Sequence, residues 1–364
     1  MMKEFYGNPN FQVSNQVVSA SCPSNIALIK YWGKYAEQIP ANPSISYTLS
    51  HCKTNTEMEF LAGENFSVQT FLAGKEEPKF AEKIEKYFKN IEPYLPWILQ
   101  GKYIIKTENT FPHSSGIASS ASGFGAIAKC LMELDKVFNQ ESRVESQESR
   151  ANSQERKASF LARLGSGSAC RSLYDGLVVW GETPEVEGSS DLFAVKYPNE
   201  EIHPVFRDFN DWVLLIHEGQ KSVSSSVGHG LMKTNVYAER RFQEAKENFI
   251  PMKNILKTGD LQRFITLVEH EALTLHSMMM MSEPAFILMK TGTLEVINKI
   301  WKFREETALP LFFTLDAGAN VHLLFPSDSE WVAEGSQQKI QHFVEKELLP
   351  HTQNGGVVKD VMRF

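Results

Sequence analysis

Phe111 to Leu134 reads FPHSSGIASSASGFGAIAKCLMEL, and its two ends follow different rules. Ile117, Phe124, Ile127, Leu131 and Leu134 recur at spacings of three, four and seven, the apolar stripe of a helix that faces a core. Gly116, Ser119, Ser120, Gly123 and Gly125 crowd the mouth of that helix, just after Pro112. The serines are expected to supply hydroxyls to its unpaired N–H groups. Small residues there also let backbone amides approach an anion, which the helix dipole favours. Gly-Lys-Ser/Thr is absent and no GxGxxG follows a strand, so this is neither a Walker A loop nor a dinucleotide fingerprint. A phosphate cradle and a plainly capped, closely packed helix both remain open.

Working outward, 364 residues predict two domains and a large core. The 42% hydrophobic and 22% charged content is that of an ordinary globular protein. A net charge of −7 with no basic tract argues against a nucleic-acid partner. Any anionic small-molecule substrate must then be held by a few local cations. Cys22, Cys52, Cys130 and Cys170 lie far apart without CxxC spacing. This predicts reduced thiols in the cytoplasm, with neither structural zinc nor a disulfide framework. MMKEFYGNPNFQV is too polar for a signal peptide, and no apolar run reaches ~18 residues, so no membrane span is expected.

Residues 16–29 predict strand, bend and strand, and 54–73 a hairpin turning at Ala62-Gly63-Glu64-Asn65. A helix is expected over about 78–91 and a strand over 101–106. Lys30-Tyr31-Trp32-Gly33-Lys34 follows an apolar run directly, an unusual place for a cation without a partner. ESRVESQ and ESRANSQ, 141–147 and 148–154, form a charged near-repeat within an insertion at about 141–157. Its apolar positions are too few for a coiled coil, so a solvated helix extension or a mobile loop is expected. Gly165-Ser166-Gly167-Ser168-Ala169-Cys170-Arg171-Ser172-Leu173 opens a short helix. Arg171 by itself reads as a surface ion-pair residue, although arginine also suits a two-pronged grip on a carboxylate.

A second domain, 204–364, is expected after a first of 1–203. Its predicted parts are a buried strand at Asp211–His217, a polar loop at Lys221–Gly228, and helices at about 231–249, 261–281 and 293–306. Strands at 311–315 and 321–325 flank Asp316-Ala317-Gly318-Ala319-Asn320. An Asp at the end of a buried strand is a turn residue or a catalytic carboxylate.

KYWGK, NPSIS, FPHSSGIASSASG, GSGSACRS, KSVSSSVG and TLDAGAN occur in that order. Together they resemble the mevalonate diphosphate decarboxylase family, of the galactokinase, homoserine kinase, mevalonate kinase and phosphomevalonate kinase superfamily. The motifs span about Ser21 to Asn320, and GSGSACRS with KYWGK and DAGAN belongs to the decarboxylase branch. The resemblance implies a two-domain α+β fold, a ribosomal-S5-like half and a ferredoxin-like half with the site between them. It implies conversion of (R)-5-diphosphomevalonate to isopentenyl diphosphate, ADP, phosphate and CO2 with ATP and Mg2+, and a homodimer. It assigns Asp316, Lys30, Arg171 and Ser225 to chemistry, and Gly116, Ser119 and Ser120 to the ATP phosphates. Tyr31, Lys34, Ser166, Ser168 and Arg171 are assigned to the substrate, with no protein ligand set for a metal.

The chain departs from that family in carrying no arginine before Arg143. Lys79, Lys83 and Lys86 stand on the helix where the family has one. Pro43 replaces a serine, and His229 follows Gly228 where methionine is common. A relative acting on 5-phosphomevalonate or mevalonate, including a 3-kinase, is the alternative enzyme; a non-catalytic nucleotide-binding relative is the alternative outside catalysis.

Overall fold

The computed structural model describes residues 2–63, 65–112, 117–139, 147–219, 221–327 and 331–363. In the N-terminal half the elements are β1 (Gln16–Ile29), β2 (Ser44–Ala62), β3 (Ser67–Leu72), β4 (Lys75–Glu76), α1 (Pro78–Ile91), β5 (Gly101–Asn109), α2 (Ser119–Phe138), α3 (Gln147–Gly165), β6 (Leu177–Trp180) and β7 (Ala194–Lys196). The C-terminal half contributes β8 (Asp208–Leu214), α4 (Ser225–Leu231), α5 (Ala238–Glu247), α6 (Phe249–Thr258), α7 (Leu261–Met280), α8 (Thr291–Thr307), β9 (Phe312–Thr314), β10 (Val321–Pro326), α9 (Ser336–Phe343) and β11 (Val357–Arg363).

The first six residues of β1 alternate in burial, whereas the next eight are all buried. A strand with one wet face thus becomes one covered on both. Ile26, Leu28 and Ile29 enter a core shared with Phe206, Phe209 and Phe249 of the C-terminal half. β2 is long enough to serve three neighbours. Along one edge it pairs with β6 through residues 44–47 and with β5 through 54–62, while β1 takes the other. The sheet order is β4-β3-β5-β2-β6-β7, with β1 on β2. The stripe predicted between 117 and 134 packs α2 onto this sheet through Phe124, Ile127, Leu131 and Leu134. The second sheet runs β11-β8-β10-β9, an antiparallel βαββαβ arrangement of the ferredoxin type. The fold is thus the two-domain α+β architecture expected.

Several local expectations are corrected. β3 forms no hairpin with β2, because β5 inserts between them and runs parallel to β3. No side chain caps α2: Ala118 holds the cap position, and Ser119 and Ser120 stand inside the first turn, too late to bond the N–H two or three residues on. KSVSSSVG is only partly loop, since Ser224 caps α4 through Val227 N–H. The single helix predicted over 231–249 divides into separate helices. Asn235 turns the chain by accepting from Tyr237 N–H and donating to the Met278 carbonyl, and α6 continues to Thr258. The first ESR repeat lies almost wholly outside the described residues, as do Gly116 and Glu64, while α3 runs through the second repeat.

The two sheets are joined where β2 lacks a strand partner. The β1–β2 register shifts between Pro23 and Asn25, so residues 49–52 fall outside every pairing of β2. Their amides turn to the other sheet. Oδ1 of the buried Asp360, on β11, accepts from Ser50 and His51 at 2.9 Å, and its Oδ2 accepts from Cys52 at 2.6 Å. Unmet donors cost about 1–3 kcal/mol each when buried. Asp360→Ala is expected to destabilise the protein by about 3 kcal/mol in urea unfolding, and a loss below about 0.5 kcal/mol would contradict this junction.

Candidate active site

Sequence-distant segments from both halves meet at the seam around a cavity of about 290 Å3. Lys30, Tyr31, Lys34, Ser119, Ser120, Ser166, Ser168, Arg171, Ser225 and Asp316 all line it. Of the residues singled out from the sequence, only Gly116 lies outside the described residues. Lys34, Lys83 and Lys221 join Lys30 and Arg171 there, against the single carboxylate, that of Asp316, which lines it among the described residues. A chain of net charge −7 therefore presents a locally cationic cavity, suited to an anion with several negative charges.

Lys30 directly follows β1 and is 1% exposed, with its Nζ 3.3 Å from Asp316 Oδ1. Burial pulls the ammonium below its ordinary value, and the charge and hydrogen bond of Asp316 oppose that pull. Asp316 follows β9, and its side chain is 26% exposed, so the carboxylate still faces the cavity.

Arg171 is buried rather than a surface ion-pair residue, because the 3-10 turn Gly167–Leu173 points it inward. Its Nε donates to Ser46 Oγ at 3.0 Å and to Asn25 Oδ1 at 3.3 Å, and NH1 donates to Ser44 Oγ at 2.7 Å. The guanidinium lies 5.7 Å from the Trp180 ring. Neutral partners occupy Nε and one NH1 hydrogen, so the outer edge of the five-donor fork remains for a carboxylate. The NPSIS serines thus orient this arginine, a role their sequence did not disclose.

Glycine and histidine set the remaining walls. A Cβ on Gly167 would lie 2.9 Å from Tyr31 Oη and 2.8 Å from Trp180, so only glycine lets the GSGS turn close over Tyr31. Ser166 Oγ reaches Ser120 Oγ at 3.4 Å, joining that turn to the mouth of α2. His229 Nδ1 accepts from Gly33 N–H at 2.9 Å, with its ring 4.3 Å from that of Tyr31 and 4.5 Å from that of Trp32. Burial pushes this imidazole down to about 3, with the charges of Lys34 and Arg171 adding to the shift. It is therefore neutral, as an acceptor must be.

Lys221, His276 and Glu271 were not assigned to the site from sequence, and Lys83 was named only together with Lys79 and Lys86. Lys221 opens KSVSSSVG and lies against the Asp316 turn, where a Cβ on Gly318 would meet its Cε at 3.7 Å. Burial lowers its ammonium, which Asp316 opposes. Of the four α1 lysines, Lys79, Lys83, Lys86 and Lys89, only Lys83 reaches the cavity, 4.8 Å over the Phe124 ring. Ile84 and Tyr87 face the core beside it, so helical phase was the available signal. Although Lys83 stands at the exposed mouth, surrounding protein and Lys34 pull its ammonium below the ordinary lysine value. His276 Nε2 lies 3.0 Å from the Asp316 carbonyl oxygen, and burial pushes its ring down to about 4. A larger hollow of about 650 Å3 lies on the outer strand faces around Ser19, Asn55, Phe71 and Lys106, with none of these groups.

Family models match both halves: a diphosphomevalonate decarboxylase-like N-terminal domain over 22–192 and a mevalonate 5-diphosphate decarboxylase C-terminal domain over 212–355. The diphosphomevalonate decarboxylase of Schizosaccharomyces pombe is 31% identical, over 84% of this chain and 78% of that one. The Saccharomyces cerevisiae enzyme is 29% identical, over 86% and 78%. The mevalonate diphosphate decarboxylase structure from Staphylococcus aureus superposes with a TM-score of 0.77 at 28% identity, covering 96% of each chain. The complex of MDDEF with MVAPP, AMPPCP and magnesium gives 0.77 at 25% identity, covering 96% and 98%.

His229 and His276 are held neutral, with values of about 3 and about 4 against 6.5 unfolded. A depressed folded value means that the unfolded chain takes up the proton first, so their stability is full above pH 6.5 and drains as pH falls. Tm is expected to drop steeply between about pH 6.5 and pH 4, and His229→Met to shallow that drop. An equally steep acid limb in the variant would count against this assignment.

Proposed function

The chain belongs to the diphosphomevalonate decarboxylase family, and we propose that its cavity converts (R)-5-diphosphomevalonate, with ATP and Mg2+, to isopentenyl diphosphate, ADP, phosphate and CO2. The observation that carries this reading is the meeting of one carboxylate, Asp316, with Lys30 and an oriented Arg171 inside a cation-rich pocket.

The reaction needs the tertiary C3 hydroxyl turned into a leaving group. Asp316 orients that hydroxyl and accepts its proton as the oxygen takes the phosphoryl group of ATP. Lys30 holds the carboxylate in place and offsets negative charge on the transferring group. Arg171 grips the C1 carboxylate. The C1–C2 bond then breaks to release CO2, its electron pair forming C2=C3 as the C3–O bond breaks and phosphate departs. Arg171 aligns the breaking C1–C2 bond with the departing phosphate. Positive charge developing at C3 is tolerated because the surrounding dipoles are fixed beforehand.

Ser119 and Ser120 meet the ATP phosphates, with Gly116 assigned alongside them, and Ser225 and Lys221 reach the cavity from the C-terminal half. Magnesium fits here as a companion of phosphate, neutralising its charge: among the described residues no three His, Cys, Asp or Glu side chains gather to hold an ion, so serine hydroxyls would join the phosphate oxygens around it. Tyr31, Lys34, Ser166 and Ser168 contact the acid. Lys83 stands in for the absent arginine, with Lys34, at the diphosphate end. A point charge there neutralises phosphate without a bidentate grip. The two halves act as domains divided at about 203/204. Four buried free cysteines favour a cytoplasmic setting, and the family resemblance favours a homodimer, which sedimentation would read directly.

Mevalonate, its 5-phosphate and its 5-diphosphate should be assayed side by side for ADP and CO2. The diphosphate is expected to give both in equal amounts; ADP without CO2 would identify a 3-kinase instead. Asp316→Asn should abolish turnover and keep ATP binding, so weak ATP binding by a folded variant would contradict its role. Arg171→Lys should lower kcat/KM by about 100-fold or more, the loss of roughly two charge-assisted hydrogen bonds. A near-wild-type rate would remove the clamp assignment.

A further inference from the structure

Lys30 and Asp316 are held by the same helix, although neither belongs to it. Glu271 on α7 is fully buried, and its Oε2 accepts the backbone N–H of Lys30 at 2.9 Å. Its other oxygen accepts from Arg241 NH1 at 3.0 Å and Asn248 Nδ2 at 2.6 Å, and Arg241 NH2 bonds Oε2. The carboxylate is thus fully occupied, and its charge is matched by a guanidinium that is itself 2% exposed. Five residues along the same helix, His276 is 1% exposed, with Nε2 3.0 Å from the Asp316 carbonyl oxygen. A carbonyl oxygen only accepts, so His276 carries its hydrogen on Nε2 and donates. Leu275, beside it, lines the cavity floor.

Five residues of α-helix advance about 7.5 Å along the axis, a separation fixed by the helix's own hydrogen bonds. We infer that α7 acts as a gauge: Glu271 and His276 are positioning residues that set the spacing between Lys30, on one domain, and Asp316, on the other. The inference rests on the reading of Lys30 and Asp316 as the reacting pair. It goes further by making their 3.3 Å separation a property of a helix that contributes no reacting group. Burial and ion pairing alone would make Glu271 merely structural, but they give no reason for its carboxylate to end on the Lys30 amide. Nor do they explain why the one buried imidazole further along α7 ends on the Asp316 backbone.

The test uses His276→Leu, which removes the donor and keeps an apolar side chain, and His276→Gln, which restores an N–H of similar reach. Displacing a reacting group by about 1 Å costs on the order of 100-fold in rate. With whichever of the three mevalonate derivatives the wild type turns over, His276→Leu should lower kcat by about 10- to 100-fold while the KM for ATP stays within about twofold. His276→Gln should recover most of that loss. Glu271→Gln should show the same split, and the double variant should lose less than the product of the single losses, because both act through one spacing. An unchanged kcat in His276→Leu, or a loss that His276→Gln does not recover, overturns the inference. A wild type inert toward all three acids would instead sink the catalytic reading. The crystal structure of His276→Leu then decides without turnover: a Lys30–Asp316 separation beyond about 4 Å, the limit of an ion pair, supports the gauge, and one still near 3.3 Å overturns it.

Discussion

An ammonium group withdrawn from water needs a counter-charge, and Lys30 imposes that need on the whole molecule. A lone buried charge costs several kcal/mol, more than most single contacts return. The neighbouring strands of Lys30 offer no carboxylate near its Nζ among the described residues; Asp316 comes from the other sheet. The proposed catalytic geometry and the association of the two halves therefore depend on the same pair. Separating the domains would strand the cation as well as open the cavity. Behind the pair, burial pulls His322 down, but the charge and hydrogen bond of Asp211 outweigh it and leave the ring above its ordinary value. This second buried pair lies on β10 and β8, and its imidazole feels both Asp316 and Lys30.

The two cations at the heart of the cavity are treated differently. Lys30 is tied to an opposite charge, which restrains its reach and offsets its burial. Arg171 is surrounded by hydroxyls and an amide oxygen, which fix its plane without neutralising it. The first arrangement suits a group that must hold the carboxylate proposed as catalytic; the second keeps charge in reserve for a ligand. Gly167 and His229 then close the aromatic wall of Tyr31, Trp32 and Trp180, which excludes water from one side.

Sequence disclosed best what periodicity or chemistry marks. The stripe from Ile117 to Leu134 made α2 legible, and the apolar runs around Asp316 made β9 and β10 legible. Lys30 was conspicuous because a cation after IALI needs a partner, but only the fold says which. The hairpin failed because alternation reports which face is wet and not which strand lies alongside, so β5 could intervene unseen. Glu271 and His276 sit in a helix whose stripe is fully explained by packing, and their bonds to Lys30 and Asp316 go to backbone atoms far away in sequence. Nothing in local pattern marks such residues. Lys83 was visible as one of the three lysines named on α1, and choosing among them required the phase of α1 against the cavity.

The junction made by Asp360 spans 310 residues to Ser50. At a synthesis rate of roughly 5–20 residues per second, β11 follows β2 out of the ribosome after roughly 15–60 s. For that interval the bulged stretch of β2 lacks the carboxylate that accepts from its amides, and the first domain stands nearly built but unlatched. Nascent chains should therefore be most open to chaperones and proteases there, and the final strand would act as the bolt that ends the exposure.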